Sequence, residues 1–157
     1  MKIKKFFKRH FKRHFKRHKW SIILWSFLIC SYILFSQVIM TGYVSSESML
    51  PTLKVGTFIL SLRIFDSDSL KVGDIIAFKH KTQNGKEEIF IKRIAAVSGD
   101  TIMVGETEVT LQDGEFYVLG DNSDNSWDSR YWNEPLIHAE DIKGKVIYYE
   151  TRQEKIE

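Results

Sequence analysis

Three stretches of this chain carry side chains able to do hydrolytic chemistry. The first is VSSESMLPTL, Val44 to Leu53, which puts Ser46 and Ser48 two residues apart, just behind a long apolar run. A serine hydroxyl needs a base before it attacks anything, and histidine with an acid behind it is the usual one. Beyond the apolar run the histidines are His80 and His138. His80 lies in FKHKTQNGK, a charged hairpin arm expected to be solvated, and His138 lies in EPLIHAED, expected to be a turn before the final strand. Either is a candidate base, but neither has a motif around it. Lysine is the other option. Its ordinary pKa of about 10.4 must fall by several units before it can accept a proton, and burial among apolar groups does that. Lys79, Lys81 and Lys86 sit in polar runs. Lys92 differs: in IFIKRIAAV, strand alternation sets it on the face of Phe90 and Ile94, with Arg93 on the opposite face. A charged lysine on an apolar face is costly. The alternative is an edge residue whose ammonium snorkels to solvent.

The third stretch is LGDNSDNSWDSRYW, Leu119 to Trp132. Read as a calcium loop from Asp121, it offers Ser126 where a Gly is needed and Trp132 where a Glu is needed, so that match fails. An Asn/Asp/Ser turn cluster is the plainer reading, although two Trp, a Tyr and an Arg are unusual company for a simple turn.

The elements that must position these groups are legible as strands. TFILSLRIF, DIIAFKH, EEIFIKRIAAV, DTIMVG, TEVTLQ, EFYVLG and GKVIYYE are rich in branched and aromatic residues and are separated by Gly or Asp. Asn84-Gly85 is a strong tight-hairpin signal. Pro51 and Pro135 fall in connections. The expected fold class is therefore mainly β: an antiparallel β-domain, sandwich- or barrel-like, of a size to hold one core.

Ahead of it, WSIILWSFLICSYILFSQVIM, Trp20 to Met40, contains no charged residue. About 20 such residues span a bilayer. The run exceeds the ~7–15 residues of a cleavable signal's apolar core, and no clear A-x-A site follows it, so it reads as an uncleaved anchor. The whole chain has 157 residues and a net charge of +3, but ten of its 23 Lys/Arg precede residue 20, where there is no acid. The body is acidic, with 13 basic against 20 acidic residues. The expected organisation is a basic cytoplasmic tail over 1–19, a transmembrane anchor over 20–40 and an extracytoplasmic β-domain over 41–157, oriented by the positive-inside rule. The lone Cys30 lies in the anchor, which excludes an intramolecular disulfide and a cysteine zinc site. The tail repeats FKRH three times. On a helix Phe7, Phe11 and Phe15 would form one stripe and His10, His14 and His18 another. Surrounded by Lys and Arg and lacking an acid, the histidines are poor metal ligands. Contact with anionic lipid head groups and a purely topogenic role are both open.

Together the stretches resemble the type I signal peptidases, membrane-anchored Ser/Lys proteases. SSESMLPTL resembles the family's nucleophile box, VGDIIAF its short G-D box, FIKRIAAVSGD its lysine box and GDNSDNSWDSRYW its closing box, in the family's order behind one basic-flanked anchor. The resemblance implies Ser48 as nucleophile and Lys92 as general base. It implies Ser46 as an oxyanion-hole hydroxyl and Ser126 as a hydrogen-bond partner that orients the Lys92 amine. Asp128, Arg130 and Arg93 would be a supporting ion-pair set with Asp121 nearby, and Val44, Leu53, Phe90 and Ile91 would line shallow pockets for small side chains. It implies no cofactor and no metal. The implied partners are signal-peptide-bearing preproteins and the lipid bilayer, with anionic lipid at the tail and no nucleic acid. Oligomeric state is not legible.

Location fits such a substrate. Ser48 follows Met40 by eight residues, so an extended chain would keep it within about 26 Å of the anchor, where the scissile bond of a signal segment emerges. Three positions depart from the family pattern: Ser123 replaces an Arg, Ser98 a Pro, and Glu47 a small or polar residue. Rivals are a non-catalytic assembly factor on the same fold, a peptidase dedicated to a few clients, and a self-cleaving Ser/Lys protein of the repressor type.

Overall fold

The computed structural model describes the backbone of residues 2–150 and the side chains of residues 18–150. The Phe and His stripes expected in the FKRH repeats, apart from His18, lie outside the described side chains. One helix, α1, runs over Lys2–Val38. Its part from His18 to Val38, 21 residues, is long and apolar enough to cross a membrane. The expected anchor continued to Met40. Instead Ile39 and Met40 open a strand, β1 (Ile39–Tyr43), and pair with Leu62 and Ser61. An unbroken apolar run does not distinguish the end of a helix from the start of a strand. Here cross-strand partners in the β-domain decide.

The chain from Val38 onward is a compact unit distinct from the helix up to Gln37. It contains β2 (Phe58–Leu62), β3 (Ile75–Lys81), β4 (Glu87–Ala96), β5 (Thr101–Val104), β6 (Thr107–Thr110), β7 (Glu115–Leu119), β8 (Leu136–His138) and β9 (Ile142–Tyr149). Seven strands form one antiparallel sheet in the order β1-β2-β9-β3-β4-β7-β8, and β5 and β6 form a separate hairpin. The class is mainly β, as expected. β8 was not anticipated: three residues are too few to show a period of two.

β3 is central, and its residues Ile75 to Phe78 are all buried, as expected of a strand covered on both faces. β4 lies beside it, with Ile76 opposite Lys92 and Phe78 opposite Phe90. The β3–β4 turn is the one Asn84-Gly85 announced: Gly85 has φ +76 and donates its N–H to Thr82 at 2.8 Å, a conformation glycine adopts without a Cβ penalty. Along β4, burial alternates from Lys92 through Ile94 to Ala96. One face meets a core of Leu70, Ile76, Phe78, Ile94, Phe116 and Val118 with Trp132, Ile137 and Ile142. A second core holds Val44, Met49, Leu53, Ile59 and Ile75, with Ile91 packed against it.

Candidate active site

The loop from Val44 to Thr57 is closed at its base by backbone bonds, Val44 N–H to Thr57 O at 3.0 Å and Gly56 N–H to Val44 O at 2.8 Å. Met49 and Leu53 drop into the second core with 1% and 0% exposure, so the turn before them is anchored from below. Ser48 sits on that turn and is itself buried. Its Oγ lies 2.6 Å from Lys92 Nζ and 3.2 Å from Ser46 Oγ. The two residues come from positions 44 apart in sequence, one on a loop and one on β4.

Lys92 is 3% exposed. Burial lowers its pKa from 10.5 to about 8; Asp128 and Asp121 pull it upward and Arg130 pushes it down. The snorkelling alternative is therefore excluded for this side chain. The amine is inside, on the face of Ile94.

Two bidentate ion pairs flank it. Arg93, on the other face of β4, donates to both carboxylate oxygens of Asp121 at 2.7 and 2.6 Å, and to Gly73 O at 2.7 Å. Arg130 donates to both oxygens of Asp128 at 2.8 Å. Asp128 has no exposed surface. Burial pushes its carboxyl up, but hydrogen bonds from Arg130, the Gly120 N–H and Ser126 together hold it below its ordinary value. Asp121 is held low in the same way by Arg93 and Thr52 against the effect of burial.

Several residues stand elsewhere than the resemblance implied. The Ser126 hydroxyl donates to Asp128 Oδ2 at 2.6 Å, and the side-chain hydrogen bond that Lys92 makes is to Ser48. Ser126 thus acts on the carboxylate beside the lysine rather than on the amine. Leu53 is fully buried and Val44 nearly so; both belong to the second core, and Leu53 offers no surface to a substrate. The Phe90 ring packs against Phe78, His80, Trp127 and Trp132, while Ile91 is half-buried against the second core. His80 is not a solvated arm residue: it stacks on Trp132 at 3.9 Å, and burial lowers its pKa against the pull of Asp141 and Glu134. Its place in an aromatic cluster was hidden because both Trp arrive from the distant closing stretch. Glu47 is exposed, and its carboxylate accepts from Asn125 at 3.0 Å. Of the other departures, Ser123 offers its carbonyl to Arg130 at 3.3 Å, and Ser98 donates to Asp113 at 2.7 Å.

Gly120 and Asn122 had no assigned part in the site. The Asn122 N–H donates to Ser48 O at 3.0 Å. A Cβ on Gly120 would collide with Ser126 Oγ and lie 2.5 Å from the Ser48 carbonyl oxygen. Only a glycine lets this strand end approach the Ser48 backbone so closely. Gly120→Ala is accordingly expected to lower the unfolding free energy by roughly 1–3 kcal/mol, the usual cost of overpacking. Denaturant unfolding of the full chain in detergent measures it, and an unchanged midpoint would mean the loop yields freely.

Chemically, a serine hydroxyl in hydrogen-bond reach of a buried amine can be activated for attack on a carbonyl once the amine is neutral. The class of protein this fits is a hydrolase built on an antiparallel β-domain. The model of the signal peptidase family, peptidase S26, matches residues 17–113 and 104–149, and the chain belongs to that family. Signal peptidase I of Leptolyngbya laminosa is 30% identical over 135 aligned positions, covering 67% of this chain and 65% of that protein. Signal peptidase I of Pseudomonas aeruginosa is 27% identical over 168 positions, covering 66% and 58%. A shorter match, to signal peptidase I of Aquifex aeolicus, reaches 51% identity over 41 positions, 25% of this chain and 15% of that protein. The chain spans less than two thirds of the length of the first two of these relatives.

Proposed function

We propose that this chain is a membrane-anchored endopeptidase that removes N-terminal signal peptides from exported preproteins, with Ser48 as nucleophile and Lys92 as general base. The observation that carries the reading is the 2.6 Å contact between Ser48 Oγ and the nearly inaccessible Lys92 Nζ. When the amine is neutral, the Ser48 O–H donates to it. Nζ takes the proton as Oγ attacks the scissile carbonyl, and the ammonium then returns it to the leaving amine. A water molecule resolves the acyl-serine by the same route in reverse. The negative charge that develops on the carbonyl oxygen needs donors already in place. The Ser46 hydroxyl, 3.2 Å from Ser48 Oγ, and the Ser48 N–H fill that part. Cleavage after small residues, of the A-x-A type, is the specificity we assign.

The helix from His18 to Val38 is the proposed anchor. The ten basic residues before Trp20 support an N-terminal segment in the cytoplasm and a β-domain outside. Ser48 lies only ten residues beyond the helix end at Val38, which suits a bond emerging from the bilayer.

The test is cleavage of a precursor carrying an A-x-A site by the detergent-solubilised chain, beside Ser48→Ala. One cut after the small residue, made by the unsubstituted chain and absent with Ser48→Ala, is the expected result. No cut by either protein, or equal cuts by both, overturns the reading.

A further inference from the structure

The turn that carries Ser48 belongs to no strand, so no sheet ladder holds it. Met49 and Leu53 anchor it from below, and the loop after β7 holds it from the other side. The Asn122 side-chain amide donates to Glu47 O at 3.1 Å, the Asn125 amide donates to Glu47 Oε2 at 3.0 Å, and the Asn122 N–H donates to Ser48 O at 3.0 Å. Glu47 O also accepts from the Leu50 N–H at 3.1 Å, which closes the turn itself. The same loop carries Asp121, which is clamped by Nε and Nη2 of Arg93. Arg93 is the neighbour of Lys92 on β4.

A closed circuit results: β4 to Asp121, Asp121 to Asn122 and Asn125, these to Glu47, Glu47 to Ser48, and Ser48 back to Lys92 on β4. We propose that Glu47 is a positioning residue, whose carboxylate and carbonyl latch the nucleophile turn onto the loop that is itself fixed to the lysine's strand. This rests on the reading of Ser48 and Lys92 as the reacting pair.

Two features separate the latch from simple surface hydrogen bonding. The side-chain contact joins two loops 78 positions apart in sequence, so it fixes the turn to a distant part of the fold. The residue also stands between Ser46 and Ser48, so a slip of the turn moves both hydroxyls at once. The Glu47–Asn125 contact is exposed, so its loss leaves the two cores intact. The effect falls on reacting geometry, where a misplacement of about 1 Å costs on the order of 100-fold.

The experiment compares the full chain with Glu47→Ala and Glu47→Gln, above the pH at which Lys92 is neutral. Glu47→Ala is expected to lower kcat roughly 10- to 100-fold with KM and the thermal midpoint unchanged, and to speed hydrogen exchange at the Asn122 amide. Glu47→Gln keeps an acceptor for Asn125 and is expected to restore most of kcat and the slow exchange. An unchanged kcat in Glu47→Ala, or a Gln variant as impaired as the Ala one, overturns the latch. The exchange arm needs no substrate. If the unsubstituted chain cleaves no precursor, the peptidase reading fails by itself, and Asn122 exchange still decides the latch: faster in Glu47→Ala supports it, unchanged sinks it.

Discussion

Well above the Lys92 pKa of about 8, Lys92→Ala is expected to cleave a signal-peptide-bearing precursor about 10²–10⁴-fold more slowly than the unsubstituted chain, the usual worth of a positioned general base. The pH profile makes this more than a loss of function. A lysine base works only when neutral. At lower pH the amine is protonated, the Ser48 proton has nowhere to go, and kcat/KM should fall tenfold per pH unit. The rate should therefore rise through about 8, the value to which burial lowers Lys92. Lys92→Arg, permanently charged, should be as inactive as the Ala variant. Adding Ser48→Ala to Lys92→Ala should cost little more, as expected of a pair that acts as a unit. A limb lying well below the Lys92 value of about 8 and retained in Lys92→Ala would move the base to a histidine and refute the dyad.

Arg130→Ala is expected to have the second-largest effect, with two signatures. Asp128 has no exposed side-chain surface, and the Arg130 guanidinium beside it is 30% exposed. Removing one partner of a buried pair leaves an uncompensated charge. The cost is about 3 kcal/mol, the lower end of the usual range, because the arginine is partly solvated. Denaturant unfolding would register that. The second signature lies in the pH profile. Asp128 favours the charged form of Lys92 and Arg130 opposes it. Without Arg130 a repulsion is lost while the Asp128 attraction stays, so the ammonium is stabilised. The limb must therefore move to higher pH. A destabilised protein with an unmoved limb would show that Arg130 is only structural. A limb moving to lower pH would mean that Asp128 takes up a proton once its partner is gone.

Much of this site was legible because its chemistry is written in short contiguous stretches. Lys92 was singled out by one local conflict, a charge on a strand face shared with Phe90 and Ile94, and the structure resolves that conflict by burial. The family resemblance grouped Arg93, Asp121, Asp128 and Arg130 near the lysine, but which arginine takes which aspartate, Arg93 with Asp121 and Arg130 with Asp128, is read only from the structure. The end of the helix was not legible, since Ile39 and Met40 are apolar in either conformation and only their pairing with Leu62 and Ser61 makes them strand. Nor was the environment of His80. Its own neighbours are lysines, and the rings that enclose it, Trp127 and Trp132, come from about 50 residues further along.

The sequence by itself determined the kind of parts present: an apolar helix behind a basic segment, a set of short alternating strands, a serine pair, and one lysine on the wrong face of a strand. These depend on periodicity and composition, which are local properties. Tertiary structure alone decided that Ser48 Oγ and Lys92 Nζ meet at 2.6 Å, that Ser126 serves Asp128 rather than the amine, and that Glu47 turns outward to Asn125. Each of those outcomes joins residues 40 or more positions apart, or settles which of several donors a buried acceptor takes. Such choices are made by the packing of the sheet and its two cores, with Gly120 leaving the space into which the loops close.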